Sequence, residues 1–141
     1  MTPDQIQLVQ QSFAKVAPIS EAAAGLFYGR LFEIAPSVKA MFPADMTEQR
    51  KKLMATLAMV VNGLGNLPAI LPAASALAKR HVGYGVKAEH YPLVGAALLW
   101  TLHQGLGDAW TPAVAEAWTT AYATLSGYMI SEAYGGAGAA G

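Results

Sequence analysis

Leu67-Pro68-Ala69-Ile70-Leu71-Pro72-Ala73-Ala74-Ser75-Ala76-Leu77-Ala78-Lys79-Arg80-His81 is the stretch whose reading decides the fold. Leu67, Ile70, Leu71, Ala74, Leu77, Ala78 and His81 recur at intervals of three and four, which keeps all seven side chains on one helical face. Such a face is buried against other elements. His81 therefore carries an imidazole into the interior, just before the glycine-rich break Val82-Gly83-Tyr84-Gly85. A buried imidazole needs a partner for each ring nitrogen that points inward. A metal is one such partner; the plainer one is a backbone carbonyl in a packed core.

The composition narrows the setting. A chain of 141 residues makes one domain, long enough to bury roughly two thirds of the surface its unfolded form exposes. Hydrophobic residues make up 54% and charged residues 13%, so the core is large relative to the polar skin. Nine basic and nine acidic residues cancel, which argues against a nucleic-acid surface or a polybasic membrane contact. The lack of cysteine excludes disulfides, thiolate metal sites and cysteine nucleophiles. Residues 53–78 hold no charge, but Asn62, Gly63, Gly65, Asn66, Pro68 and Pro72 interrupt them. That run reads as two buried helices and a turn, not a membrane span. No Lys or Arg precedes Lys15 and no continuous apolar stretch follows, so no export signal is expected and the cytoplasm is the expected location.

Helices account for the whole chain, and no period-two alternation marks a strand. Thr2-Pro3-Asp4-Gln5 has the form of a capping box for a helix to about Ala17. Pro18 opens a second, which stops before Pro36. A short segment, Ser37 to Phe42, follows. Asp45 and Glu48 cap a long helix to about Leu64, Asn66 starts the His81 helix, another runs from about Ala88 to Gly105, and Thr111-Pro112 caps the last. The domain is expected to span residues 1–134, leaving the Gly/Ala tail 135–141 disordered.

Polar side chains interrupt a few apolar faces. Gln49 heads the stripe of Leu53 and Leu57, Tyr28 sits beside Phe27 on the face of Leu31, Tyr91 leads Val94, Leu98 and Leu102, and Glu132 follows Leu125 and Met129. Each has an ordinary explanation. Gln49 can lie at a solvated helix end, the tyrosines can bury their rings with hydroxyls in water, and Glu132 can be exposed near a terminus. His90 and His103 fall off the inward stripe and read as structural or solvent-facing. No phosphate-binding glycine loop, HExxH or serine-nucleophile motif is present.

Taken in order, these residues resemble the single-domain bacterial globins and the globin half of flavohaemoglobins. The matching segments are Leu26-Phe27-Tyr28-Gly29-Arg30-Leu31-Phe32, Met41-Phe42, Gln49 with Leu53, and Asn66-Leu67-Pro68-Ala69-Ile70-Leu71-Pro72. They continue with Lys79-Arg80-His81, Gly85-Val86, His90-Tyr91-Pro92-Leu93-Val94-Gly95, Ala117-Trp118 and Ala121-Tyr122. The resemblance implies an all-α globin fold of about seven helices around one haem. It makes His81 the proximal ligand, giving Nε2 to iron and leaving a sixth position for a diatomic gas. It makes Tyr28 and Gln49 the distal polar pair, and Phe42 and Leu53 apolar walls. Met41, Arg80, Val86, Val94, Tyr122 and Met129 complete the expected haem contacts. A donor aimed at bound O₂ is worth about 1.5–3 kcal/mol. The family also sets Tyr91 and a glutamate against the imidazole Nδ1–H. Its spacing would put that glutamate at position 133, which is Ala here; Glu132 stands one residue earlier, about 100° round the helix.

The implied function is a haem protein that reversibly binds O₂, NO or CO, as carrier or buffer. The alternatives are nitric oxide dioxygenation with a separate reductase, since no flavin or nicotinamide domain follows, or gas sensing. A haem-free structural helical domain is the remaining possibility. The expected assembly is a monomer or weak homodimer, with no nucleic-acid or membrane partner.

Overall fold

The Gln5 N–H donates to Thr2 Oγ1 at 3.1 Å while the Thr2 N–H donates to Gln5 Oε1 at 3.0 Å, so the capping box closes the amino end of the first helix. The computed structural model describes residues 2–83 and 86–138, side chains excepted at 83 and 134–138. It contains α1 (Pro3–Val16), α2 (Ser20–Ile34), α3 (Thr47–Asn62), α4 (Leu67–Gly83), α5 (His90–Leu106) and α6 (Pro112–Gly138). There is no strand among the described residues. The short segment expected at Ser37–Phe42 is a 3₁₀ helix, Pro36–Met41.

Boundaries moved where a local contact outweighed the sequence signal. Pro18 lies in a 3₁₀ turn, Ala17–Ile19, and α2 starts after it. Asp45 Oδ1 accepts from Thr47 N–H at 3.0 Å and from the Thr47 hydroxyl at 2.7 Å, so Asp45 organises the turn just before α3. α3 ends at Asn62, not Leu64, with Gly63 as its cap, and Ile70 packs directly over Gly63: a Cβ there would lie 2.3 Å from Ile70 Cγ2. α5 begins at His90, not Ala88, after a turn in which His90 and Tyr91 N–H donate to the Lys87 and Ala88 carbonyls. Gly107, at φ +54°, ends α5 in a conformation that favours glycine. Thr111 caps α6 through Val114 N–H at 3.2 Å. The last two residues of the glycine-rich break, and residues 139–141 of the tail, lie outside the described residues.

Three helix pairs carry most of the packing: α2 against α5, α4 against α6, and α1 against α6. Trp118 shows why the last holds. Its buried indole N–H donates to Ser12 Oγ at 2.8 Å, and that hydroxyl donates to the Leu8 carbonyl at 2.7 Å. Each large side chain buried this way contributes about 1.5–3 kcal/mol. The main core gathers Val9, Phe13, Val16, Phe27, Leu31, Val61, Leu98 and Leu102. A smaller cluster, Ala74, Ala78, Tyr91 and Met129, joins α4, α5 and α6. The uncharged run 53–78 is divided between α3 and α4, with a 53° bend between them. No single helix among the described residues is long and apolar enough to cross a membrane.

Candidate functional site

A cavity of about 510 Å³ opens between α2 and α3 on one side and α4, α5 and α6 on the other. That falls within the size range of cofactor sites, roughly 300–1,000 Å³. All twelve residues expected to touch a cofactor line it: Tyr28, Met41, Phe42, Gln49, Leu53 and Val94 together with Arg80, His81, Val86, Tyr91, Tyr122 and Met129. On α3 the inward face is Gln49, Leu53, Thr56, Leu57 and Val60, the spacing of a single helical stripe.

His81 is half-buried at the α4 wall, and its Nδ1 lies 2.7 Å from the Leu77 carbonyl oxygen one turn earlier. A carbonyl oxygen can only accept, so Nδ1 carries the proton and Nε2 keeps its lone pair. Burial, offset in part by this hydrogen bond, holds the His81 pKa below the usual histidine range, so the ring is neutral at pH 7. A neutral imidazole with a lone pair on Nε2 is the form that binds a metal. The Tyr91 ring lies near-parallel to it, 28° off, with centroids 6.4 Å apart.

The other wall is aromatic and amide. Tyr28 is buried, its ring edge-on to Phe27 and Phe42 at 5.0 and 5.5 Å. Gln49 Nε2 donates to Tyr28 Oη at 3.2 Å. The phenol oxygen thus accepts from Gln49, and its own proton remains for a second partner. Burial, opposed in part by Gln49, pushes the Tyr28 pKa up, so this hydroxyl stays a donor at neutral pH.

Tyr122 fixes the floor. Its hydroxyl donates to the Tyr91 carbonyl at 2.5 Å, and its ring crosses Gly95 so closely that a Cβ there would lie 2.6 Å from Cε2. Gly95→Ala is therefore expected to push Tyr122 off the first turn of α5 and destabilise the protein by about 1–3 kcal/mol. Gly29→Ala, where a Cβ meets nothing within 4 Å, should be neutral or mildly stabilising. Urea midpoints at unchanged m-value check both; equal effects would contradict the close approach.

His90 is not merely structural or solvent-facing. It lines the cavity, and its Nδ1 accepts from Lys87 N–H at 2.9 Å. Glu132 does not reach the imidazole: it is exposed, outside the cavity lining, and accepts from Ser75 at 2.8 Å. Its position one residue before 133 turns it along α6 toward an earlier turn of α4. His103 stays off the site, stacked on Trp110 at 5.9 Å. Lys52 and Ser126 also line the cavity and were missed. Lys52 follows from the Gln49 stripe by three residues, whereas nothing local marks Ser126.

The donor set can be tested against haem. Lys52, Arg80 and His90 bring basic groups to the cavity, and no carboxylate side chain lines it among the described residues. No group of three or more His, Cys, Asp or Glu among the described residues could hold a bare metal ion. A metal here must arrive with most of its ligands, and the basic groups suit a carboxylate-bearing carrier. The residues fit haem.

An all-α chain here encloses a cavity with imidazole on one wall and a phenol–amide pair on the other. The chain belongs to the globin family, whose model, described as Globin, matches residues 25–129. It is 35% identical over 128 residues to a flavohemoprotein of Rhodopirellula baltica, covering 89% of this chain and 31% of that protein. A flavohemoprotein of Bacillus subtilis is 32% identical over 133 residues, covering 89% and 32%. The chain spans about a third of the length of the curated relatives it matches. Among solved structures, a bacterial globin from Campylobacter jejuni superposes with TM-score 0.83 at 30% identity, covering 94% of this chain and 96% of that one. An engineered carbene transferase, made from a candidate nitric oxide dioxygenase of Rhodothermus marinus, superposes with TM-score 0.86 at 27% identity, covering 99% and 98%.

Proposed function

We propose that the chain holds one haem in this cavity and binds O₂ reversibly, with NO and CO as further ligands. The observation that carries the reading is the pairing of opposed walls: His81, its Nδ1–H held by Leu77, and the Tyr28–Gln49 pair. When bound, ferrous haem supplies an iron with one position open to a diatomic gas. His81 offers the Nε2 lone pair on the α4 side. Lys52, Arg80 and His90 would offer basic groups to the carboxylates of a bound haem. Met41, Phe42, Leu53, Val86, Val94 and Met129 would give a bound haem an apolar surround that excludes water. Gln49 holds the Tyr28 phenol oxygen, and the Tyr28 hydroxyl proton, with the second Gln49 N–H, would be available to a gas ligand that carries partial negative charge.

The names of the relatives favour a second reading, nitric oxide dioxygenation with electrons from a separate reductase. One experiment separates the two. Oxygenated protein is mixed with NO in the presence of a flavin reductase and NADH. Stoichiometric consumption of one NO per haem, with slow recovery, supports the carrier; sustained catalytic loss of NO supports the dioxygenase. Protein purified from cells without a Soret band would overturn both.

A further inference from the structure

Ser75 and Glu132 meet across α4 and α6. Ser75 is 8% exposed, and its hydroxyl donates to Glu132 Oε1 at 2.8 Å. Tyr128 stands one turn before Glu132 on the same helix, α6. Ser75 precedes His81 by six residues, which at 1.5 Å per residue is about 9 Å along the axis of α4. The carboxylate therefore faces an earlier turn of the proximal helix. At His81 itself the Nδ1–H meets the Leu77 carbonyl, a neutral acceptor of the same helix.

We infer that Ser75 holds the Glu132 carboxylate away from the proximal imidazole, so that the Leu77 carbonyl, not a carboxylate, orients and polarises His81. The inference rests on His81 being the axial ligand, as proposed above. Its consequence is electronic. A carboxylate accepting from Nδ1–H raises the basicity of the ring and drives electron density onto the metal. A peptide carbonyl offers a dipole without net charge, and an exposed carboxylate about a turn and a half away is largely screened. His81 is then a plain neutral imidazole, and Glu132 braces α4 against α6. This ligand set suits reversible binding of a gas, since electron push from an anionic axial ligand favours O–O cleavage.

Two measurements on the holoprotein test it. The Fe–His stretching band of the ferrous protein, read by resonance Raman, should be the same in wild type and Glu132→Gln. A lower frequency in Glu132→Gln would place the carboxylate on the imidazole and overturn the inference. Absence of any such band in the wild type would overturn the haem reading and this inference with it. Ser75→Ala should raise the unfolding equilibrium constant by roughly three- to tenfold in the wild-type background. It should have little effect in Glu132→Ala. Equal effects in the two backgrounds would show that the pair does not brace the helices and would overturn the inference.

Discussion

Tyr28→Phe is expected to speed O₂ dissociation from the ferrous protein by roughly ten- to hundredfold, the factor carried by a donor worth about 1.5–3 kcal/mol. The substitution keeps the ring and its edge contacts with Phe27 and Phe42, so it isolates the hydroxyl. CO, which gathers less negative charge, should be held nearly as before. The Gln49 amide loses its acceptor and can turn into the cavity, which sets the lower end of the range. Stopped-flow displacement of O₂ by CO measures the rate. A change below about twofold would mean that the Tyr28 proton is directed elsewhere.

His81→Ala should weaken haem retention by more than about a hundredfold, beyond the upper end of what loss of an outer hydrogen-bonding partner alone does. Cysteine is absent from the chain and no second histidine shares the α4 wall, so the axial bond has no ready substitute among the described residues. Haem transfer to an excess of apomyoglobin gives the rate. Free imidazole should restore retention, because the substitution leaves a hole of its own shape facing the metal. Unchanged retention and an unchanged five-coordinate histidine spectrum would reject His81 as ligand. Failure of imidazole to rescue a folded variant would point to lost packing of α4 instead.

The His81 stripe was legible because burial on one face writes itself as a three-four spacing. In the structure none of Leu67, Ile70, Leu71, Ala74, Leu77, Ala78 and His81 is exposed. The cavity lining was legible for a different reason: the order of Tyr28, Phe42, Gln49, His81 and Tyr91 along the chain resembled a known family, and those residues do converge. Spacing alone left each of them an ordinary alternative. What escaped lies where tertiary contacts decide. His90 occupies the first turn of α5, where a residue beside the inward stripe still reaches the cavity edge. Glu132 sits on α6, whose rotation relative to α4 is set by Ala74, Ala78 and Met129 packing together, and no local pattern records that rotation. At the end of α3, Ile70 of α4 closes over the capping Gly63, a contact that no local pattern records.

Mixing CO with the ferrous, ligand-free protein tests most directly whether His81 alone holds the iron while the Tyr28–Gln49 side stays open. Gln49 is an amide, and His90 is engaged through Nδ1 by the Lys87 N–H, so an internal sixth ligand is not expected. The observed rate should then rise linearly with CO concentration, from a five-coordinate starting spectrum. A rate that saturates at a slow value independent of CO would mean that a side chain such as Lys52 or His90 occupies the gas position, and would contradict the open site.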